Sequence, residues 1–316
     1  MGWIPKRKKR PGWLAVNLRA EQVDLVHVAR GAAGRPVVTL CDSYRREGSA
    51  ADTLARLRKE FKLDSYHCTT LLKFADYQLH SLDAPNVPAA ELKNAVRWRL
   101  KDILDYPLDQ ATVDVLDVPV DKAGPARNHS VYAVTARNAA IEKVVKPFND
   151  SKLPLQVIDI PALAQRNIAT LYETEGRGVA MLGFYDECGK LTFSGGGELY
   201  LTRRIEISLG QLIEATAERR NELFERIALE LQRSLDGFDR QYNYVPIAKV
   251  LLAPMEQDIG LQQYLASNIY VPIETIDLAT VLDFPAVPEL KHPARQSQCL
   301  RMIGAALRDE ELTATA

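Results

Sequence analysis

The stretch GVAMLGFYDECGKLTFSGGGELYLTRRIEISLG, Gly178–Gly210, decides the fold. Its apolar runs and turn residues predict three strands, Val179–Phe184, Lys190–Ser194 and Glu198–Arg204. Between them stand Asp186-Glu187-Cys188-Gly189 and Gly195-Gly196-Gly197, the residue types that tight reversals need. A helix is expected from Gln211 onward. The same order recurs near the N-terminus: strands Trp13–Leu18, Val23–Ala29 and Pro36–Cys41, then a helix over Ser49–Phe61. The two meanders begin about 165 residues apart, so the chain reads as a duplication, which sets the architecture before any single motif does.

A chain of 316 residues, 47% hydrophobic and 26% charged, can bury a large core and favours about two domains. Its 40 basic and 41 acidic residues leave no net field to recruit nucleic acid, so none is expected as a partner. No run reaches the ~18 apolar residues of a membrane-spanning helix. No signal peptide is expected, because Lys6-Arg7-Lys8-Lys9-Arg10 leads into Pro11-Gly12 rather than an apolar segment. Cys41, Cys68, Cys188 and Cys299 lack C-x-x-C spacing, and His27, His67, His80, His129 and His292 lack ligand spacing. Neither a metal site nor a disulfide framework is therefore expected. Scattered thiols of this kind fit a reducing cytoplasm as small core residues.

Residues 1–12 read as a basic, solvated tail. The alternative role for Lys6–Arg10 is contact with an anionic membrane surface, at about 1 kcal/mol per cation. The first half is expected over 13–76 and 129–176. It contains a buried strand at Tyr66–Lys73, then strand Val131–Ala136, helix Ala139–Phe148, strand Leu155–Ile160 and helix Pro161–Glu173. Residues 77–128 stand outside the repeat as an inserted subdomain. Its helix, Ala89–Leu104, carries Leu92, Val96, Leu100, Ile103 and Leu104 on one stripe and is ended by Pro107. Strand Thr112–Val120 and a loop over Asp121–Asn128 complete it. The second half, 177–308, continues with helix Glu222–Phe238, strand Ile247–Ala253, a helix around Gly260–Ala266, strand Val271–Ile276 and a closing helix Leu300–Arg308; residues 309–316 form a polar tail.

Two such meanders, each continued by strand–helix units, with an extra subdomain in the first half, resemble the actin-like (RNase H-like) ATPase fold. That is an α/β fold of two βββαβα-type halves. Three stretches narrow the likeness to the PilM-like, actin-like family of type IV pilus assembly. They are NAVRWRLKDILDYPLDQATVDVLDV (Asn94–Val118), LYLTRRIEISLGQL (Leu199–Leu212) with its Thr202-Arg203 and Gly210, and the pair IALELQRSLDGFD (Ile227–Asp239) and MIGAALR (Met302–Arg308). Within the family the chain is most similar to the MshI branch of mannose-sensitive haemagglutinin (MSHA) pilus biogenesis. The resemblance implies a cytoplasmic protein, peripheral at the inner membrane. It implies binding to the short cytoplasmic tail of a PilN-like single-span pilus protein, and contact with other components of the assembly platform.

Actin-like ATPases hold Mg-ATP with an Asp-x-Gly turn after the first strand of each half and a Gly-Gly turn near the adenosine. Asp holds Mg²⁺, and Gly lets backbone N–H groups approach phosphate. Here the corresponding turns are Asn17-Leu18-Arg19, Gly183-Phe184-Tyr185 and Ala253-Pro254, and Pro254 has no N–H. Asp24 adds negative charge beside the first turn. The expectation is a degenerate nucleotide site at Asn17, Arg19, Gly183, Tyr185, Ala253 and Pro254, with no ATP or other cofactor and no catalytic residue. The protein is then a non-catalytic scaffold. The alternative is an actin-like ATP-binding switch or weak ATPase with phosphate contacts from Arg19, Arg203 or Arg204. Gly195-Gly196-Gly197 runs straight into a strand, so it is expected to be a hairpin turn rather than a phosphate loop. A candidate partner interface is Arg97, Trp98 and Lys101, an aromatic among cations off the apolar stripe of the inserted helix. The competing reading packs Trp98 onto strand Thr112–Val120.

Overall fold

The computed structural model describes residues 9–30, 34–120 and 129–308. The first eight residues, the Asp121–Asn128 loop and the 309–316 tail lie outside them, as does most of the basic run. The chain opens with strands β1 (Trp13–Leu18), β2 (Gln22–Arg30) and β3 (Pro36–Arg45), helix α1 (Ala50–Glu60) and strand β4 (His67–Leu71). Ser49 starts α1 through a capping box: its hydroxyl accepts from Asp52 N at 3.1 Å, and Ser49 N donates to Asp52 Oδ2 at 3.1 Å. Next come β5 (Tyr77–Asp83), α2 (Ala89–Arg99), β6 (Ala111–Asp117) and β7 (Ser130–Arg137). The first half ends with α3 (Asn138–Ser151), β8 (Val157–Asp159) and α4 (Pro161–Thr170).

The second half comprises β9 (Gly178–Phe184), β10 (Gly189–Gly195), β11 (Glu198–Ile205), α5 (Leu209–Ile213), α6 (Ala217–Gln241), β12 (Ile247–Leu252), α7 (Leu261–Asn268), β13 (Ile273–Thr275) and α8 (Pro293–Ala306). Along α6, Leu223, Phe224, Ile227, Leu231, Leu235 and Phe238 recur at helical spacing and are buried against sheet two. The two five-stranded sheets run β3-β2-β1-β4-β8 and β11-β10-β9-β12-β13. In each, the meander is antiparallel and the two added strands lie parallel to the first. The repeat is thus a repeat of strand order and direction. No helix among the described residues is long and apolar enough to cross a membrane.

Three expectations change. The sequence pattern assigns strand Val131–Ala136 to the first half, but β7 is the central strand of a third sheet, β5-β7-β6, so the inserted unit continues past residue 128. The reason lies in its two apolar faces: Val131 and Ala133 pack under α2, while Tyr132, Val134 and Ala136 meet the cores of the two halves. Ile103 was placed on the buried stripe of the inserted helix, yet it is 45% exposed. The helix tightens to 3₁₀ geometry at Leu100–Asp102, which rotates later side chains off the α-helical stripe. The closing helix begins at Pro293, seven residues before Leu300, with Pro293 at its first turn.

The halves exchange helices. α4 leaves the first sheet but packs on β9, β10 and β11, whereas α8 leaves the second sheet and packs on β1, β2 and β4. The two helices also pack on each other, and Asn167 Nδ2 donates to Gly304 O at 2.8 Å. A Cβ on Gly304 would lie 2.1 Å from the backbone oxygen of Ala164. Replacing a mid-helix Gly with Ala ordinarily stabilises by roughly 1 kcal/mol. Here the neighbour is helix backbone that cannot rotate away, so overpacking of about 1–3 kcal/mol wins. Gly304→Ala is expected to lower the denaturant midpoint, and an unchanged or raised midpoint would refute the close crossing.

His27 on β2 is buried, with Nε2 donating to Pro11 O at 3.1 Å and Nδ1 accepting from Thr39 Oγ1 at 2.5 Å. Burial pushes its pKa down to about 4, against an ordinary value of 6.5. Above pH 6.5 neither folded nor unfolded chain carries the proton, so this group adds no pH dependence. Between pH 6.5 and about 4 the unfolded chain takes up a proton that the folded one refuses, so stability falls as pH falls. The loss reaches on the order of 3 kcal/mol. Unfolding titrations across this range should show that slope in the native protein and a shallower one in His27→Gln.

Candidate functional site

The turn after β1 is closed by its own hydrogen bonds. Asn17 faces Asp24 across the β1–β2 ladder, and its Nδ2 donates to Asp24 Oδ2 at 3.0 Å. Arg19 grips the same carboxylate through Nε at 2.6 Å and Nη2 at 2.9 Å. This fork-on-carboxylate pairing, on a buried Asp24, raises the Arg19 pKa further. Arg46 takes the turn's carbonyls, donating to Arg19 O at 3.1 Å and Ala20 O at 2.9 Å. A phosphate would have to displace Asp24 before Arg19 could clamp it. Arg204 is likewise engaged, with Glu206 at 2.6 Å.

The turn after β9 carries Asp186, whose negative charge adds slightly to the raising of the Arg19 pKa. Tyr185 folds back over its own strand. Its hydroxyl donates to Gln165 Oε1 of α4 at 3.0 Å, and a Cβ on Gly183 would lie 2.7 Å from that hydroxyl. Gly183 is small because the Tyr185 ring covers it. Phe74 lies beside the ring at 5.7 Å between centroids, and the Arg301 guanidinium of α8 sits 4.6 Å from the Tyr185 centroid. Burial pushes the Tyr185 phenol up to about 12, so it stays neutral and donates. At the third turn Ala253 and Pro254 are buried, and Ala253 N donates to Leu182 O at 2.8 Å. The six sequence-predicted positions therefore lie in turns occupied by internal bonds and packing. Among the described residues no group of His, Cys, Asp or Glu side chains converges as a metal site would require.

Open space lies elsewhere. A groove of about 1620 Å³ runs between the inserted sheet and the first half. One wall is β6 and the residues after it, the other is β8 with α3 and α4, and the Gly196-Gly197 turn closes one end. Both β6 and β8 are edge strands of their sheets. Leu116, Val118, Val134, Ile141, Leu163 and Leu199 make the lining apolar, with Asp114, Arg166 and Glu198 also contributing to it. Its volume exceeds the ~300–1,000 Å³ of small-molecule pockets and suits an extended peptide segment.

The trio Arg97, Trp98 and Lys101 is not in this groove. Val96 and Leu100 turn α2 toward Val113, Val131 and Ala133, the face of the sheet opposite the groove lining. Arg97 is occupied, donating to Ala111 O at 3.1 Å and Leu108 O at 2.7 Å. Trp98, 71% exposed, projects outward with the exposed Lys101, so it does not pack on β6. Sequence reasoning missed the groove because β7 had been placed in the wrong unit. The signal that finds it is the two-sided apolar pattern of SVYAVTAR, which marks a central strand.

No family model and no curated protein matches this chain. Solved structures do match it. It has the fold of the PilM–PilN type IV pilus biogenesis complex. The TM-score is 0.73, with 18% identical residues over 96% of this chain and 99% of that one. The cytoplasmic domain of EpsL, an inner-membrane component of the type II secretion system of Vibrio cholerae, aligns over 94% of this chain and 95% of that one, at 12% identity and TM-score 0.46. A Bacteroides thetaiotaomicron protein with an actin-like ATPase fold and unknown function aligns over 89% and 96%, at 9% identity and TM-score 0.47. The fold of this chain is actin-like, with the duplicated sheets described above.

Tyr185 should behave as a core residue. Tyr185→Ala is expected to cost roughly 3–5 kcal/mol by denaturant unfolding. Tyr185→Phe, which only orphans the buried Gln165 oxygen, should cost about 1–3 kcal/mol. Equal, near-zero costs for both would place the ring in solvent.

Proposed function

We propose that this chain is a non-catalytic scaffold of a type IV pilus assembly platform, of the MSHA type, related to PilM. In this reading it holds the cytoplasmic tail of a PilN-like single-span inner-membrane protein. The observation that carries the reading is the groove between β6 and β8, on a fold shared with the PilM–PilN complex. An extended tail can add itself to either strand edge, with backbone hydrogen bonds supplying affinity. Alternate side chains of the tail then enter apolar pockets at Leu116, Val134 and Leu163. The protein sits in the cytoplasm, peripheral to the inner membrane and tethered through its partner. Trp98 and Lys101, on the far side of the inserted sheet, leave a second face for other platform components.

The absence of catalysis follows, in this proposal, from the engaged turns. Arg19 and Asn17 are committed to Asp24, and Tyr185 to Gln165. Titration calorimetry with Mg-ATP is expected to register no binding at micromolar concentrations. A low-micromolar dissociation constant, about −8 kcal/mol, would instead make the protein an ATP-binding switch or weak ATPase. Co-purification with a PilN-like membrane protein should be lost in Leu116→Asp and kept in Trp98→Ala, both checked for unchanged thermal unfolding. Equal capture by the wild type and Leu116→Asp would sink the groove assignment.

A further inference from the structure

Two thiols 258 positions apart in the sequence meet in the folded chain. Cys41 on β3 and Cys299 on α8 place their sulfurs 2.9 Å apart. That is within about 1 Å of the ~2.04 Å length of an S–S bond. The pair joins the edge strand of sheet one to the helix that arrives from the second half. Arg295, one turn before Cys299, donates from Nη2 to Cys41 O at 2.8 Å, so strand and helix are already held in register. A crevice of about 10 Å³ is lined by Cys41 and Cys299 together with Asp24, Ser43, Gln298 and Met302. It is about large enough for one water-sized molecule. The other two cysteines differ, because neither makes a thiol–thiol contact among the described residues.

We propose that Cys41 and Cys299 are a redox modification site, closed by hydrogen peroxide into a reversible disulfide that staples α8 to β3. The Cys41 thiol donates to Cys299 Sγ, and this bond, with Arg295 and Arg19 nearby, lowers the Cys299 pKa against the opposing effects of burial and Asp24, so Cys299 is the thiolate of the pair. Cys299 Sγ attacks one peroxide oxygen; the S–O bond forms as the O–O bond breaks, leaving a sulfenic acid and hydroxide. The hydroxide takes the Cys41 proton and becomes water. Cys41 Sγ then attacks Cys299 Sγ, forming the S–S bond and expelling the sulfenyl oxygen as hydroxide. That hydroxide takes up the proton Cys299 first released, so two thiols and one peroxide give one disulfide and two waters. Peroxide, one oxygen larger than water, enters with only a slight widening of this crevice, whereas a glutathione-sized oxidant is excluded.

The test uses the full chain treated with hydrogen peroxide, then alkylated and weighed intact. The expected product has lost about 2 Da and keeps two of its four thiols. Peptide mapping should return one cross-link, Cys41 to Cys299, that dithiothreitol reverses. Bridging so long a loop constrains the unfolded chain, so the oxidised protein should melt higher by about 5 °C or more. Cys41→Ser, unfolded in dimedone after the peroxide treatment so that the reagent reaches the buried sulfur, should instead give an adduct at Cys299 and no bridge, whereas Cys68→Ser should oxidise like the wild type. Retention of all four thiols, sulfinic acid without a cross-link, or oxidation spread over Cys68 and Cys188 overturns the proposal. The mapping on unsubstituted protein decides the matter even if a variant fails to fold.

Discussion

Gly304 rests against the backbone oxygen of Ala164, and this contact sets how closely α4 and α8 can cross. The rest of the molecule depends on that crossing, because each helix covers the other half's sheet. Ala15 and Val26 of sheet one and Met181 and Leu251 of sheet two share a single buried cluster with residues of both helices. On this side of the sheets neither half completes its own core. Burial of apolar surface, worth about 25 cal/mol per Å², therefore binds the halves through their interiors rather than across a thin interface. The thiol pair at β3 and α8 lies on the same seam.

Around this crossing, several polar groups are satisfied internally. Gln165 of α4 donates to Met181 O at 2.6 Å and accepts from Tyr185, tying the helix to the strand and turn of the second half. Arg301 of α8 stacks over Tyr185 and Phe74, and Arg308 pairs with the buried Asp159 at the end of β8. Buried polar groups are costly unless paired, so each such bond resists opening of the region between the halves. The turns after β1 and β9 spend their side chains on internal bonds.

The inserted unit adds a different kind of surface. Its central strand must be apolar on both sides, since α2 covers one face and the two halves meet the other. Tyr132 OH donates to Tyr200 O at 3.3 Å and Tyr244 OH to Pro119 O at 3.0 Å, which anchors the unit to the second half. Anchored there, it stands off from β8 and leaves the groove between them. The groove thus comes from placement of whole elements, with no single motif encoding it.

Local pattern was enough for much of this protein. Apolar runs and turn residues placed both meanders, and the stripe of α6 placed its helix. The duplication and the actin-like fold were legible because they repeat along the chain. What only the tertiary structure decided involves partners distant in sequence. Examples are β7 joining the inserted sheet, Arg19 closing on Asp24, Tyr185 folding over Gly183, and Cys41 meeting Cys299. Trp98 shows the same division: its place off the apolar stripe was readable from helical period, but its exposure was settled by where α2 lies on the sheet. Periodicity reports which face of an element is apolar; only packing decides what that face meets.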